Sequence, residues 1–534
     1  MAQACKFGIL PHMLSAPIDS LLQKLKTQNA MATSSQSEAL INVHKLTEKA
    51  GAAYEKLRYL IDYKDERHIR RSAIERIIKR KILLEGGKGI GLSLIQELIA
   101  GRYLPNNAIA DRAALDVEKI ILKYKKLQSF MPAAWRDEPR SRQILVRLMA
   151  SEVEVFFYPN SEDDFVAEAF FETIKDSVKI EILLSDKAFE TQILVACYRS
   201  LLTSDDETLF YKLWMTVVPP DWATLEDESA IKNIGEKSIE IWHAIHAALK
   251  DPLSFKLLPR FYNYAIYFSI IREVIRAYGA ESERILADSA ALKQFTREFL
   301  EKNYKKQYAK ARDSAVRAVF YIFITKMLLA LALEVPYQIY FLNSVEYAPI
   351  ATNILFHPIL LLFITVSVRP LGKKNTDAIE SGVENVLKGE NIRLVKVKAK
   401  GKGFFNAIFL FLYAVIFLVV FGIIIATLEG LNWSIVSILL FLCFLTLVSY
   451  FALRIRHSAN KWKVAKEEDR IVTLAFNLFA LPIVRAGKWL SRKFSSINFF
   501  AFILDFIIET PFKLLLQFSD AFVSFLKEKQ EDVY

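Results

Sequence analysis

Four long apolar runs between residues 318 and 453 constrain this chain more than any other feature. A segment of about 20 apolar residues is needed to cross a hydrocarbon layer about 30 Å thick. We therefore expect four membrane-spanning helices, at 318–342, 350–368, 404–428 and 434–453. The last two runs carry no formal charge, which makes them the plainest spans. The sequence predicts a transmembrane module over 313–457.

Basic residues gather on one side of these runs. Lys and Arg are abundant before the first run, between the second and third, and after the fourth, but absent from the connections 343–349 and 429–433. Retained cations mark the cytoplasmic side of a membrane. We therefore predict that both chain termini lie in the cytoplasm, with a bacterial inner membrane as the default location.

Composition narrows the choice of partners. The 534 residues are 53% hydrophobic and carry a formal net charge of +11. Much of this surplus lies close to the apolar runs, where topology and anionic lipid headgroups account for it. We expect a bilayer with anionic headgroups as one partner and do not expect nucleic-acid binding. Cys5, Cys197 and Cys443 lie in unlike contexts, so neither a disulfide framework nor a metal site is predicted, and we expect no cofactor.

The residues before the runs have the pattern of helices. After a disordered or loosely ordered lead-in over 1–38, apolar residues at i, i+3 and i+4 predict a cytosolic helical bundle or array over 39–312, with an internal boundary near 130–160 as one alternative. Ser161, Ser204 and Thr224 are each followed three residues later by an acid, as in a capping box. The predicted helices lie near 162–181, 186–202, 205–217, 226–249, 252–278 and from 281 onward.

For three segments, the sequence allows more than one conformation. Residues 178–184 resemble a strand, but the flanking helix signals favour a helix. The absence of Gly and Pro between Gly279 and Pro336 predicts one coiled-coil-like stalk helix over 281–342, with a hinge near Asp313 as the alternative. In the predicted cytosolic loop 369–403, residues 376–387 favour a short helix. Residues 392–400 fit a strand or an extended lipid-contacting segment, and we favour the membrane surface.

The residues after the last run predict an amphipathic membrane-surface tail over 458–534. The apolar stretches 471–484 and 497–508 are too short to span a bilayer, and a re-entrant hairpin is the alternative to interfacial helices. The predicted fold class is therefore all-α: a cytosolic helical bundle or array, a four-helix transmembrane module, and amphipathic interfacial C-terminal helices.

Three polar residues inside the runs are candidates for function, because burying them in a bilayer is costly. Lys326 and Glu334 stand eight residues apart, on one face of a helix. They fit an ion or proton path, but we favour a structural role in which Lys326 snorkels or meets a polar group of another helix. His357 precedes Pro358, and we favour a kink-side or interfacial histidine over a metal ligand.

Three further patterns carry a weaker chemical signal. His243 and His246 lie near Glu240 at helical spacing, but we favour surface histidines over a metal site. The Gly-rich stretch 85–91 could cradle a phosphate at a helix start, but a helix stop and turn is the favoured interpretation. Asp505, Glu509 and Lys513 follow i, i+4, i+8 spacing, typical of the polar edge of an interfacial helix with local ion pairs rather than an acid/base pair. We predict no catalytic residue.

Three functions remain compatible with this pattern. The favoured hypothesis is a membrane-anchored helical scaffold or adaptor that holds a protein partner at the cytosolic face. The alternative is an oligomeric channel or transporter component for an ion or small solute, since four helices alone enclose little space. The third is a membrane-bound enzyme acting on lipid. The expected protein partner is another protein or a second copy of this chain.

Overall fold

The computed structural model describes residues 14–31, 40–41, 66–85, 89–159, 161–180, 185–343, 345–368, 370–393, 395–397, 404–465 and 471–496. These residues are almost entirely helical, and four of their helices are long and apolar, which confirms the predicted all-α class. The chain divides into two compact units. Unit 1 comprises Met1–Thr296 and Asp377–Lys400, and unit 2 comprises Arg297–Thr376 and Gly401–Tyr534.

Unit 1 is built mainly from helices. They are α1 (Ala16–Met31), α2 (Glu66–Glu85), α3 (Ile90–Ala100), α4 (Arg112–Ser129), α5 (Ala133–Arg136), α6 (Pro139–Phe157), α7 (Ser161–Ile174), α8 (Asp186–Leu201), α9 (Asp206–Val217), α10 (Glu228–Glu236), α11 (Ser238–Lys250), α12 (Pro252–Tyr278) and α13 (Ser282–Ala287). The helices between 161 and 278 start close to the predicted ones, but the single helix predicted over 226–249 is wrong, because the chain divides there at Lys237 into α10 and α11.

Helix starts differ from the prediction in detail. Asp205, rather than Ser204, caps α9 and accepts a hydrogen bond from the Thr208 amide at 2.9 Å. Asp227, rather than Thr224, caps α10 and accepts from the Ser229 amide at 2.9 Å. Asp205 follows the predicted cap by one residue and Asp227 by three, and a carboxylate is as good an acceptor as a hydroxyl for the free amides of a first turn. The capping pattern therefore located the helices without identifying the cap.

The core of unit 1 centres on α12. Its side chains Phe261 and Phe268 are fully buried, and Phe170 of α7 lies 4.8 Å from the Phe268 ring, measured between centroids. Helix α1 packs against α7 with Ile18 and Leu21 buried. The prediction of a loosely ordered lead-in is therefore wrong for residues 16–31, because the apolar face of a short, otherwise polar helix finds a partner in α7.

One small sheet lies in unit 1. Strands β1 (Val178–Ile180) and β2 (Val395–Val397) pair in parallel, with Val178 opposite Val395. The helical prediction for 178–184 is wrong at residues 178–180. For 392–400, the strand alternative holds at residues 395–397, and the favoured membrane-surface location stays a prediction. Each segment alone is too short to signal a strand, and the pairing partner lies more than 200 residues away.

Helix α17 (Lys373–Lys388) precedes β2 and extends beyond the predicted 376–387. Its residues Ile379, Val383, Val386 and Leu387 are buried. The Leu387 carbonyl accepts a hydrogen bond from the Ser15 amide at 2.7 Å. A Cβ at Gly382 would lie 2.1 Å from Cζ of Tyr267, so only glycine permits this approach. The segment between the second and third spans thus contributes to the core of unit 1.

The long helix α14 (Ser289–Leu329) begins later than predicted. Asp288 is extended, and its Oδ1 accepts from the Ala290 amide at 2.9 Å, which caps the helix. No break occurs at Asp313. After Leu329 the chain continues as a π turn (Ala330–Glu334), the short α15 (Val335–Tyr337) and a second π turn (Gln338–Leu342). Pro336 has no amide hydrogen to continue the regular pattern, and the π turns lie on either side of it.

Four helices of the described residues are long and apolar enough to cross a membrane: Ser289–Leu342, Tyr347–Val366, Ala407–Gly430 and Ile435–Ala459. They contain the four predicted spans almost completely. We call the last three α16 (Tyr347–Val366), α18 (Phe404–Gly430) and α19 (Ile435–Ala459). Small side chains allow close helix packing: Ala311 and Ala315 of α14 are buried with Leu361 of α16 and Ala452 of α19.

A further helix, α20 (Ile471–Ser496), follows the spans and continues through Pro482. It crosses α19 closely, since a Cβ at Gly487 would lie 1.9 Å from the Thr446 carbonyl oxygen. The guanidinium of Arg485 lies 4.7 Å from the Tyr413 ring centroid of α18. The predicted helix over 471–484 is thus part of a longer one that packs on two spans, and its interfacial location stays a prediction. The second predicted helix, 497–508, lies outside the described residues.

Candidate functional sites

Lys326, Glu334 and His357, selected separately from the sequence, come together inside unit 2. Helix α14 carries Lys326, the first π turn carries Glu334, and α16 carries His357 together with Asn353 one turn earlier. Ser437 of α19 completes the group, which we call the span cluster. All five residues are at most 3% exposed. The cluster therefore joins three of the four spans through polar side chains.

Asn353 connects the two charged groups. Its backbone carbonyl accepts a hydrogen bond from the Lys326 ammonium at 2.9 Å, and its side-chain oxygen accepts a second one. Its amide nitrogen donates to Oε2 of Glu334 at 3.2 Å. The hydroxyl of Ser437 donates to the other oxygen of Glu334. One neutral amide thus lies between a cation and an anion and satisfies both.

Aromatic and imidazole groups close the cluster on the side of α19. The Lys326 ammonium lies 4.7 Å from the centroid of the Phe444 ring. Nε2 of His357 lies 3.0 Å from the Phe441 carbonyl oxygen, and Nδ1 lies 3.3 Å from the Asn353 carbonyl oxygen. A neutral imidazole donates from one nitrogen only, and the shorter distance favours Nε2 as the donor. Both nitrogens face carbonyl oxygens, which leaves no geometry for a metal ligand.

The span cluster is closed in this conformation. The gap bounded by Lys326, Glu334 and Asn353 leaves no room for a water molecule. Because the ammonium is only 3% exposed, Lys326 does not snorkel but meets a polar group of another helix. Buried charges persist in an apolar medium only when they are paired or hydrogen-bonded. Chemically, this arrangement can hold the spans together. If the spans separated, the Lys326 ammonium could release a proton and the Glu334 carboxylate could accept one.

Sequence reasoning missed Asn353 and Ser437, because an uncharged polar residue in an apolar run costs too little to stand out. It also missed a buried network in unit 1. There the Lys123 ammonium lies 2.5 Å from Oε1 of Glu152 and 2.6 Å from the Trp222 carbonyl oxygen. The Tyr124 hydroxyl and the Trp222 indole donate to Oε2 of Glu152 at 2.6 and 3.1 Å. We call this the Lys123 network.

The electrostatics of the Lys123 network follow from its burial. Lys123 and Glu152 are at most 5% exposed. Burial lowers the pKa of Lys123, although the attraction of Glu152 opposes the shift. Burial, reinforced by the charge of Glu152, raises the pKa of Tyr124 well above its ordinary value. The network lies inside a helix bundle, and its charged groups bond to one another and to neighbouring buried groups, which is typical of a structural pair.

A cleft of about 260 Å³ in unit 1 contains one of the two histidines considered from the sequence. It lies between α6, α9 and α11, and we call it the α6–α11 cleft. Trp242 stacks on His246 with ring centroids 4.9 Å apart, and the Arg140 guanidinium lies 5.7 Å from the Trp242 ring. Burial, together with the charges of Lys250 and Arg140, lowers the pKa of His246. Among the described residues, no group of three or more His, Cys, Asp or Glu side chains is arranged for a metal ion.

The Gly-rich stretch presents its amides to a carboxylate of the chain itself. The amides of Gly89 and Gly91 each donate to Glu118 at 2.8 Å, so a carboxylate side chain occupies the start of α3. This agrees with a helix stop and turn rather than a phosphate cradle; residues 86–88 lie outside the described part of the chain. Asp505, Glu509 and Lys513 also lie outside it, so their predicted interfacial role stays a prediction.

Comparison with known proteins gives no match: no family model, no curated protein and no solved structure resembles this chain significantly. The four apolar helices indicate a membrane protein. Its function has to be argued from the geometry of the two units.

Proposed function

We propose that this protein is a membrane-anchored helical adaptor. Its spans fix it in the bilayer, and unit 1 holds a protein partner at the cytosolic face. The basic segments that flank the spans support a cytoplasmic location for both termini, and a bacterial inner membrane is the simplest compartment. The observation that carries the proposal is the closed span cluster.

The span cluster favours an anchor over a pathway for two reasons. Its charged groups bond to each other through Asn353 and Ser437, and they leave no room for water. A conducting path needs polar groups that face a water-filled cavity or a substrate. Interhelical hydrogen bonds of this kind stabilise helix association in a bilayer. The polar side chains in the spans are thus accounted for by holding the anchor together.

Unit 1 has properties that suit the binding of a protein partner. It is a folded helical domain larger than an anchor requires, and its surface contains the α6–α11 cleft with aromatic and basic side chains. Aromatic residues and Arg are the side chains that most often dominate protein interfaces. We expect the partner to contact unit 1 rather than the spans.

Crosslinking mass spectrometry on native membranes tests the adaptor. We expect reproducible crosslinks from lysines of unit 1, such as Lys187, to one other protein, and none from the purified protein used as a reference. Crosslinks restricted to a second copy of this chain would contradict a separate protein partner and indicate a homo-oligomer. If all the observed crosslinks join residues of one chain, the adaptor proposal is contradicted altogether.

A second candidate is proton or ion translocation, as part of an oligomer. It is favoured by the buried Lys326 and Glu334, and by the π turns that flank Pro336, because π turns interrupt helices at many functional sites. A charged residue within a span is a reason to test transport directly.

Reconstitution into liposomes with an internal pH-sensitive dye separates the two candidates. Under the adaptor hypothesis, the wild-type protein and the Glu334→Gln variant give the same proton leak as empty liposomes. Translocation instead requires a flux above empty liposomes that Glu334→Gln abolishes. Glu429→Gln is the matched control, because Glu429 is an exposed carboxylate at the end of a span.

A further inference from the structure

We infer that the α6–α11 cleft binds an acidic peptide segment of the partner, with a large apolar residue between carboxylates. This inference rests on the adaptor proposal and names the chemistry of its partner. It is carried by the shape of the cleft, the unpaired cations on its rim and its apolar floor.

The shape of the cleft fits a short extended segment. One wall is a stripe of α6 residues at helical spacing, from Arg140 through Ile144 and Leu148 to Ser151. At 1.5 Å per residue this stripe is about 16 Å long, the length of about five residues of extended chain. The opposite wall is the face of α11 with Trp242, His246 and Lys250. A volume of about 260 Å³ holds one or two large side chains rather than a whole helix.

On the rim of the cleft, the carboxylates are paired with cations, but two of the cations are not paired with carboxylates. The two carboxylates of the cleft are already paired: Asp206 lies 2.7 Å from Arg199, and Glu207 lies 2.7 Å from Arg71. Arg140 and Lys250 have no carboxylate within 4.0 Å among the residues that the structure describes. Both are exposed. Two cations without an anion, one from each wall, favour a ligand that brings carboxylates of its own.

A second observation points to the same positive potential. The charged groups that act on His246 are Lys250, Arg140 and His243, which lower its pKa, against Asp206 alone, which raises it. More positive than negative groups therefore act on His246, in agreement with the unpaired cations of the rim. An anionic segment would be attracted to the cleft, and the attraction would weaken as salt is added.

The floor of the cleft supplies apolar contact. Leu148 and Leu249 are buried there, and Phe210 and Trp242 are partly exposed. Trp242 packs against two other rings, the stacked His246 ring and the Trp135 ring, whose centroid lies 5.2 Å away. A preformed aromatic wall costs little ordering on binding. An apolar side chain can therefore bind between the two cations. A free carboxylate or phosphate ion has no group that could contact this apolar floor.

The test uses the full-length protein in lipid nanodiscs and a fluorescent probe peptide. The probe has about six residues, with a central Leu-Phe pair flanked on each side by Glu-Asp, to match the length of the cleft. A first control peptide carries Gln-Asn in place of the acids, and a second carries Ala-Ala at its centre. By fluorescence anisotropy, we expect the acidic Leu-Phe peptide to bind more tightly than both controls, and its affinity to fall as salt increases.

Matched variants assign the binding to the cleft. Arg140→Glu combined with Lys250→Glu should weaken probe binding about tenfold or more, because two attractions become repulsions. Lys119→Glu combined with Lys187→Glu makes the same charge change at exposed positions of unit 1 outside the cleft, and should leave affinity nearly unchanged. Circular dichroism of each variant confirms that the helical content is retained.

Three results would overturn the inference. The amide peptide could bind as tightly as the acidic one, both double variants could weaken binding equally, or inorganic phosphate could compete as effectively as the probe. The last result would assign the cleft to a free anion. None of these removes the adaptor proposal, which fails if native membranes yield no crosslinks from unit 1 to another protein or if liposomes show a proton flux that Glu334→Gln abolishes. The two failures are therefore distinguishable.

Discussion

The two units each bury a lysine and a glutamate, but they connect them differently. In unit 1, Lys123 contacts Glu152 directly at 2.5 Å, and Tyr124 and Trp222 donate to the same carboxylate. In unit 2, Lys326 and Glu334 are connected through Asn353, and Ser437 donates to the carboxylate. Direct contact holds two charges of neighbouring helices together, whereas an intervening amide joins three spans at one residue.

This difference reflects which side chains are available in each unit to form hydrogen bonds with the buried charges. Unit 1 has aromatic side chains next to the pair, and their O–H and N–H groups complete the coordination of one carboxylate. The spans are composed mainly of residues without donors, so one Asn supplies a carbonyl, an amide oxygen and an amide nitrogen together. We therefore expect a single substitution at Asn353 to affect both charges, whereas in unit 1 each charge can be tested alone.

The largest effect is expected from Lys123→Met. It leaves the Glu152 carboxylate buried with neutral donors only, and breaking one partner of a buried pair costs about 3–5 kcal/mol. Denaturant unfolding of the full-length protein, followed by tryptophan fluorescence, measures this loss through Trp222 in the network.

Lys119→Met is the matched control for that variant. Lys119 lies one turn earlier on α4 and pairs with Glu226 at 3.3 Å, but both side chains are mostly exposed. We expect little change in unfolding midpoint. An equal loss from the two substitutions would show that burial is not the cause, and the comparison between the units would lose its basis.

The next effect is expected from Asn353→Leu, which removes the amide between the charges of unit 2. The variant loses hydrogen bonds to buried charged groups, and we expect about 1–3 kcal/mol of destabilisation. Thermal unfolding in detergent micelles should show a lower Tm. Thr427→Val serves as the control, because the Thr427 hydroxyl donates to the Ile423 carbonyl of its own helix and, among the described residues, to no other span. An unchanged Tm for Asn353→Leu would mean that the charges pair without the amide.

A smaller effect is expected from Ser437→Ala. It removes one of the two donors to Glu334 while Asn353 remains, and we expect a loss of about 1 kcal/mol. Ser367→Ala is the matched control, since the Ser367 hydroxyl bonds to Phe363 one turn earlier on an exposed helix end. If Ser437→Ala destabilises more than Asn353→Leu, the serine rather than the amide is the main link.

The smallest effect is a pH dependence from a half-buried pair in unit 1. Burial acts to raise the pKa of Asp205, but the Arg71 guanidinium outweighs it and holds that pKa well below its usual range. The carboxylate therefore stabilises the fold above its ordinary pKa, and this contribution is lost as pH falls below about 4. With 35% of the side chain exposed, solvent screening reduces the expected effect to less than about 1 kcal/mol. In the Asp205→Asn variant, the free energy of unfolding should fall less steeply as the pH is lowered. An unchanged pH dependence would exclude this pair as its source.

Much of the architecture could be predicted because it depends on local signals. The spans follow from uninterrupted apolar length, and the starts of α9 and α12 follow from acids or Pro next to an amphipathic pattern. Lys326, Glu334 and His357 stood out because charge and imidazole are expensive in a bilayer. The sequence marked the residues, but their assembly around Asn353 depends on how three spans pack.

The remaining features depend on contacts between distant segments. Three-residue strands are recognisable only when 178–180 and 395–397 lie side by side. Lys123 and Glu152 each fit an amphipathic helix, so nothing in the sequence indicates that they face each other. The cleft is formed by side chains of three helices, and its charge depends on which acids are already paired. Packing, rather than periodicity, determines all three features.

Unit 1 contains residues 377–400, which are synthesised only after the first two spans. The sheet and the contacts of α17 are therefore missing while the ribosome completes the spans. At about 5–20 residues per second, the delay between the end of the first segment of unit 1 and the end of the second is on the order of 10 s. The early part of unit 1 has to persist during that time without its last helix and strand. Synthesis of the first two spans thus becomes a step in the folding of unit 1. A chain that stalls before residue 377 would leave exposed the surface that α17 later covers.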